Sequence, residues 1–385
     1  MIYSDLQKAD GITTFKMQDF GETTIDVSLV NSIRRTILSD IPNIAFYFNA
    51  KNTDQETADI AIDTNDSPLH NEFMAQRLSM VPIHVPAEDI QKWDDWNDEE
   101  YKFIIDVENK SSSFLDITSA DIQVWKSGKE DKSLSEAYFP KSKTTGDHIL
   151  LTKLPPMKSK SATQLKVSMT ATKDTPMKHA CWAMTSLCTF ENDIDEELRS
   201  EFEEKFVADR KEVMDEESAK RRYATLEYQR AYKTNKYNEP NSFIFKLESE
   251  CGVTNEEIFH LALSRLILRL QDIKFDLDAE PGDKTVMIFE KDSEDICSIQ
   301  IDDEDHTLGN LLQAMIYNMH VRPGKNAITY IGYYVPHPLQ RSIILKVKSS
   351  LEKDNLCKEL NESVTKTIKD IKILQEQWLQ FAKLS

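Results

Sequence analysis

The sequence predicts an α+β fold made of two similar modules in one chain, with a mostly β insert domain and a charged helical insertion in the first. Three observations carry that reading. A helical pattern recurs after 279 residues, a strand pattern recurs after 100, and short alternating segments fill the gap inside the first copy.

Positions 26 to 37 reappear at 305 to 316, where Asp26 meets Asp305, Ser28 meets Thr307, Leu29 meets Leu308, Asn31 meets Asn310, Ile33 meets Leu312 and Ile37 meets Ile316. Each copy follows a strand-like run. Leu29, Ile33 and Ile37 in the first, and Leu308, Leu311, Leu312, Met315, Ile316 and Met319 in the second, fall at helical spacing. Each copy is therefore an amphipathic helix, its start marked by a Ser or Thr. Residues 50–177 hold alternating runs such as Phe103 to Val107, Ile122 to Trp125 and Leu165 to Met169, separated by Ser, Lys, Gly and Pro clusters. They read as a small β domain.

From Glu191 to Glu217 there are 13 acids against 4 bases, whereas Ser218 to Lys236 has 6 bases against 1 acid. An acidic then basic helical hairpin that neutralises itself fits this pattern. The alternative is a basic arm, with Tyr223, Tyr228, Tyr232 and Tyr237 interleaved, that touches RNA or DNA. Beyond it, Phe243 to Ser249 resembles Ile343 to Ser349 as a strand. Each precedes a long helix. Thr254 and Glu257 suit a capping box before Ile258 to Ile273, which contains Leu261 and Leu266, and Leu351 to Leu384 carries Ile368, Ile371, Leu374 and Trp378. Helices this apolar need partners, so the modules are expected to pack through them as a pseudo-symmetric pair.

The boundaries that follow are a larger module at 1–49 and 178–275, with the charged insertion at 191–238, an insert domain at 50–177 and a smaller module at 276–385. A linker from about Gln271 to Lys284, some 14 residues, would span roughly 20 Å as a flexible coil. It would hold the modules at an effective concentration on the order of millimolar.

Composition narrows the function classes. The 385 residues are enough for about two or three domains, and 40% hydrophobic with 29% charged residues is ordinary for a folded soluble protein. A formal charge of −19 is the wrong sign for a surface that neutralises phosphates, so contact with nucleic acid is expected to be indirect. Cys181, Cys188, Cys251, Cys297 and Cys357 form no CxxC pair, which argues for reduced thiols and against a zinc ribbon. Leu261 to Leu270, the most apolar stretch, is broken by Arg265 and Arg269, and the opening residues lack a cationic then apolar segment. Neither a membrane span nor a signal peptide is expected.

Catalytic motifs are absent from the sequence: it has no Gly-rich phosphate loop, GxSxG elbow or HExxH. Asp302, Asp303, Glu304, Asp305 and His306 suggest a metal cluster, yet contiguous acids alternate in direction and suit a helix start better. A metal-dependent nuclease or phosphotransferase using these acids is one alternative. His337, between Pro336 and Pro338, reads as a rigid turn. Arg34 and Arg35 fall opposite Ile33 and Ile37, on the accessible face of their helix.

The run Glu304-Asp-His-Thr-Leu-Gly-Asn-Leu-Leu312, followed by Gly332-Tyr-Tyr-Val-Pro-His-Pro-Leu339, resembles the small alpha-like subunit of multisubunit RNA polymerases, the eleventh subunit of polymerase II and its archaeal L-type counterpart. Val30-Asn-Ser-Ile-Arg-Arg35 with Ile41-Pro42, then Asn65 to Pro82, resembles the larger alpha-like partner, the third subunit of polymerase II and its archaeal D-type counterpart. Those partners are normally separate chains. The resemblance implies an intrachain pseudo-heterodimer of two alpha-like dimerisation modules that catalyses nothing and nucleates the two large catalytic subunits. A small alpha-associated subunit joins them; DNA and RNA are met only through the complex, and neither self-dimer, membrane, metal nor cofactor is implied. Leu29, Ile33, Ile37, Leu261, Leu266, Leu308, Leu311, Leu312, Met315 and Ile316 would form the internal interface. Asn31, Arg34, Arg35 and Arg77 would meet the large subunits, and Asp305, His306, Thr307, Gly309, Asn310, Pro336, His337 and Pro338 would be structural. The insert domain holds a metal centre in some relatives, but residues 50–177 contain no cysteine. The fusion is similar to that of large nucleocytoplasmic DNA viruses, implying a viral protein of the host cytoplasm and virion, with the nucleus as alternative. A further alternative is an interaction protein that no longer joins a polymerase.

Overall fold

The computed structural model describes residues 1–21, 23–49, 59–86, 96, 100–157, 161–278, 282–289, 295–322 and 327–383. Parts of the insert domain and of the linker, at 50–58, 87–95, 97–99, 158–160 and 279–281, lie outside the described residues, as does Leu384. Strands β1 (Tyr3–Ala9) and β2 (Ile12–Gln18) form a hairpin. Its two turn residues, Asp10 and Gly11, both have positive φ, the geometry that matches the twist of paired strands. Helix α1 (Val27–Ser39) follows and buries Leu29, Val30, Ile33 and Ile37.

The insert domain leaves and returns through a ribbon in which β3 (Asn43–Phe46) pairs with β11 (Ala171–Asp174). Between them come β4 (Ile60–Asn65), α2 (Asn71–Ser79), β5 (Tyr101–Asn109), β6 (Leu115–Thr118), β7 (Gln123–Lys126), β8 (Lys129–Glu130), α3 (Lys132–Tyr138), β9 (Leu150–Leu154) and β10 (Thr163–Met169). The sheet order is β4-β10-β5-β7-β8, with β6 and β9 paired separately. Alternation buries Leu165, Val167 and Met169 of β10. Phe46 of the ribbon meets Phe103 of β5 edge to face, seating the domain on its own neck.

The first module resumes with β12 (Thr185–Asn192). The charged insertion contributes α4 (Glu196–Ala208) and α5 (Glu216–Leu226), and the chain then closes the module with β13 (Ser242–Ser249) and α6 (Asn255–Gln271). The second module comprises β14 (Thr285–Phe289), β15 (Ile296–Asp302), α7 (His306–Ile316), β16 (Ile328–Tyr334), β17 (Ser342–Ser349) and α8 (Lys353–Ala382). The sheets run β1-β2-β13-β12 and β14-β15-β17-β16, all antiparallel. One order maps onto the other strand for strand. The fold is therefore α+β with two equivalent modules, and one continuous apolar core runs through both.

Three expectations need correction. At α1 the cap is Asp26 rather than Ser28, its carboxylate accepting an otherwise orphaned helical N–H from Leu29 at 2.9 Å, while at α7 Asp305 takes the helix-start role expected of the acids at 302 to 306, accepting from the Thr307 N–H at 2.9 Å. The described part of the linker is not a loose coil. Gln271 ends α6, Ile273 and Phe275 are buried, and Asn361 clamps the Phe275 backbone by accepting from its N–H at 3.1 Å and donating to its carbonyl at 2.8 Å. In the charged hairpin the ion pairs run within segments, Arg199 with Glu196, Lys220 with Glu216, Arg221 with Glu217 and Arg230 with Glu227. What joins α4 to α5 is Tyr223, whose ring meets Phe206 and whose hydroxyl donates to the Arg199 carbonyl at 3.1 Å.

All five cysteines are free and buried. Burial pushes the Cys181, Cys188 and Cys297 thiols up to about 12. Among the described residues no helix is long and apolar enough to cross a membrane, and no group of three or more His, Cys, Asp or Glu is placed to hold a metal ion.

Candidate functional site: the interface between the modules

Four helices, α1 and α6 from the first module and α7 and α8 from the second, meet at the centre of the molecule. Leu29, Ile33 and Ile37 of α1, Leu266 of α6, and Leu308, Leu311, Leu312, Met315 and Ile316 of α7 are all buried there, while Leu261 is half-buried at the margin. Where α1 crosses α7, the Ser32 hydroxyl donates to the Thr307 carbonyl at 3.0 Å. Small residues permit this approach. A Cβ on Gly309 would come within 2.6 Å of the Tyr333 ring, so α7 can lie against β16 only with glycine there.

Trp378 of α8 enters the first module's core, its ring centroid 4.6 Å from that of Phe15 and 4.5 Å from that of Phe259. Its indole N–H donates to the Glu256 carbonyl at 2.9 Å, so this buried donor is satisfied. Tyr3 packs edge-on against the same indole and donates its hydroxyl to the Leu374 carbonyl at 3.2 Å. Burying several aromatic side chains contributes roughly 1.5 to 3 kcal/mol each. A helix of one module thus completes the core of the other.

One edge of this interface is ionic, which the sequence reading missed. Arg269 of α6, its side chain 10% exposed, reaches Asp40 just past α1 and Glu304 just before α7, and its Nη2 lies 3.4 Å from Asp305. Glu304, only 1% exposed, also pairs with Lys284 at 3.0 Å. Burial outweighs the Arg269 charge at Asp40 and lifts that carboxyl above its ordinary range. At Asp305 burial acts the same way, but hydrogen bonds from Thr307 and the charges of Arg269 and Arg35 more than offset it and hold the carboxyl below its ordinary range. The available signal was an arginine inside the most apolar helix. It interrupts a buried face, and a buried guanidinium needs carboxylates.

Arg35 corrects the expectation of two accessible arginines. Its Nε donates to Thr307 Oγ1 at 2.7 Å and its Nη2 pairs with Asp305 at 3.0 Å, so it faces the second module, although 37% of its side chain remains exposed. Arg34 instead grips Asn31 on its own helix, with Nε and Nη2 both donating to Asn31 Oδ1 at 3.0 and 2.9 Å. Arg77 lies in the insert domain and donates to the Leu150 carbonyl at 2.8 Å. His306 sits 3.2 Å from the Tyr333 hydroxyl, and Asn310 is half-buried on α7. Pro336, His337 and Pro338 form the exposed turn between β16 and β17, where His337 Nδ1 accepts from the Leu339 N–H at 3.1 Å.

Two α+β modules joined through a shared four-helix core define a protein-dimerisation device. Residues 19–270 and 297–377 each match the family described as the RNA polymerase Rpb3/Rpb11 dimerisation domain. The chain belongs to that family, and it carries the domain twice. Among its relatives is subunit 3B of DNA-directed RNA polymerases IV and V of Arabidopsis thaliana, 26% identical over 43% of this chain and 50% of the plant protein. DNA-directed RNA polymerase subunit Rpo11 of Metallosphaera sedula is 30% identical over 23% of this chain and 88% of its own length. Subunit Rpo3 of Thermococcus kodakarensis is 36% identical over 17% of this chain and 20% of its own. The chain thus spans about half the length of the plant relative.

Proposed function

We propose that the chain is the assembly-platform subunit of a DNA-directed RNA polymerase, a non-catalytic part on which the two large catalytic subunits and a small alpha-associated subunit gather. The observation that carries this reading is the pairing, inside one chain, of two modules that each match the dimerisation family. The acids at 302 to 306 support it against a nuclease: Glu304 is committed to Arg269 and Lys284, and Asp305 caps α7. DNA and RNA are met through the complex. The fusion itself supports a viral protein acting in the host cytoplasm and packaged in the virion, with the nucleus as the alternative; fractionation of infected cells and virions with an antibody to the chain distinguishes them.

The test is mass spectrometry of proteins that co-purify with the tagged chain. Large polymerase subunits are the expected partners, and their absence leaves an interaction protein outside any polymerase. Arg34→Glu sharpens it. Because Arg35 is bound up in module pairing, only Arg34 reports on an external partner cleanly. Reversing it should leave the thermal melt of the isolated chain unchanged, within about half a kcal/mol. If it faces a large subunit, association should weaken by a factor of roughly tens to thousands. Unchanged co-purification removes Arg34 from the docking face.

A further inference from the structure

The two modules are related by a pseudo-twofold arrangement, so each edge of their interface has a counterpart across the axis. At one edge lie Asp40, Arg269 and Arg35 of the first module against Glu304 and Asp305 of the second. The 279-residue repeat puts Ile25 where Glu304 stands, Ala314 where Arg35 stands and Met319 where Asp40 stands. Counted from the N-caps Thr254 of α6 and Glu352 of α8, the counterpart of Arg269 is Thr367. Thr367 and Ile25 are both 1% exposed, matching the burial of the residues they replace. Of the carboxylates, only Asp305 has an acidic equivalent, Asp26. It accepts from the neutral Asn318 amide at 3.2 Å instead of from an arginine. The second edge is held instead by a single, more exposed pair, in which Arg322 of the second module donates to both carboxylate oxygens of Glu239 of the first. It borders a cavity of about 890 Å³ lined by Ile25, Asp26, Met319, Ser363 and Lys366 among others.

We propose that this buried ion network is a specificity determinant of pairing: it favours the union of the first module with the second over a pair of like modules. The need for such a device follows from the symmetry. The modules share strand order and helix placement, and the apolar faces of α1 and α7 are alike, so where these two helices cross hydrophobic burial discriminates weakly between like and unlike pairs. Charge does discriminate. In a pair of second modules, Glu304 would keep Lys284 but face Thr367, and Asp305 would face Ala314, leaving buried carboxylates without their arginines. In a pair of first modules, Arg269 would keep Asp40 and meet Asp26 in place of Asp305, but would find Ile25 in place of Glu304. Either mismatch takes one partner out of a buried ion set, and losing one partner is more damaging than replacing the whole set by apolar groups. A network of this kind thus selects a partner even where it adds little net stability. The inference rests on the geometry of the modules and stands apart from the polymerase reading.

The experiment uses the full chain with a protease site placed after Asp278, cut only once the protein has folded, so that both fragments are present in equal amount. The cut protein is mixed with an isotope-labelled copy, which makes exchange visible, and native mass spectrometry counts like and unlike pairs. With the native residues, like pairs should be fewer than roughly one in twenty. In the triple variant Asp40→Asn, Arg269→Met, Glu304→Met they should rise at least about tenfold, since the three most buried charges of the network are then gone from like and unlike pairs alike. Exchange that still yields unlike pairs alone overturns the proposal. Should the triple variant fail to fold, Arg35→Met decides, because that side chain is partly exposed and its replacement is expected to leave the fold intact. A rise in like pairs of roughly threefold supports the network as the selector, and an unchanged distribution overturns it.

Discussion

The second module connects its elements with short segments, whereas the first opens the same framework twice. Between α7 and β16 the second module spends only the residues around Tyr317 to Ala327; between α1 and β12 the first module inserts a whole β domain. Between β16 and β17 lies a Pro-His-Pro turn, and at the equivalent place between β12 and β13 lies the charged hairpin. The difference teaches that the shared core does not depend on what its loops carry, provided that their ends are brought together locally. The β3–β11 ribbon does so for the insert domain. For the hairpin, Asp195 N–H donates to the Ala231 carbonyl and Lys233 N–H to the Asp193 carbonyl, both at 2.9 Å. The buried Asp193 carboxylate accepts from Lys233 at 2.7 Å and from Ser242 at 3.0 Å. Once the ends are closed, further length costs little, because loop entropy grows only logarithmically.

If the core is shared and the loops are dispensable, damage to equivalent helix positions should be equally severe in both modules. Leu312→Asp and Ile33→Asp each place a carboxylate at a fully buried site on α7 and α1. Each should abolish soluble folded protein, since the penalty is several kcal/mol against a total of about 5 to 15. Soluble yield and circular dichroism measure it. A folded Ile33→Asp beside an unfolded Leu312→Asp would break the equivalence.

A milder change sharpens the point at which the modules differ. Asp305→Asn keeps a good helix cap but removes the charge that Arg269 and Arg35 face. At neutral pH it should destabilise by about 1 to 3 kcal/mol. Asp305 has a folded-state pKa below its ordinary 3.8, so its contribution is present above that value and disappears as pH falls through the lower folded one. The gap between the denaturation curves of native and variant chains should therefore close in acid. A gap that stays constant with pH would mean that the charge is not the source. The smallest effect is expected from replacing residues 196–230 by a short Gly-Ser turn, which should shift stability by no more than about 1 kcal/mol. A collapsed melt would show that the hairpin belongs to the core.

Much of this framework was legible in the sequence. The periodic apolar faces of α1, α7 and α8, the Thr254 and Glu257 capping box and the strand pair at 243 and 343 all depend on local spacing, which sequence displays directly. The ionic edge was only half legible. Arg269 interrupts the most apolar helix and so calls for carboxylates, but Asp40 and Glu304 lie far from it along the chain, and each alone looks like an ordinary surface charge. Arg35 misled for a related reason: helix geometry placed it opposite the apolar stripe, but a second module curls round to meet it. The start of α1 was ambiguous because Asp and Ser cap about equally well, so spacing alone did not choose between Asp26 and Ser28.

The position of Trp378 has a consequence for how the molecule is made. The strands of the first sheet are all synthesised by Ser249, yet the indole that fills the space between Phe15 and Phe259 emerges more than a hundred residues later. At roughly 5 to 20 residues per second that is a wait on the order of ten seconds, during which an aromatic cavity stands open on a nascent chain. During translation the first module is thus a half-built receptor for α8, and whatever shields that cavity on the ribosome shares control of the yield of finished protein.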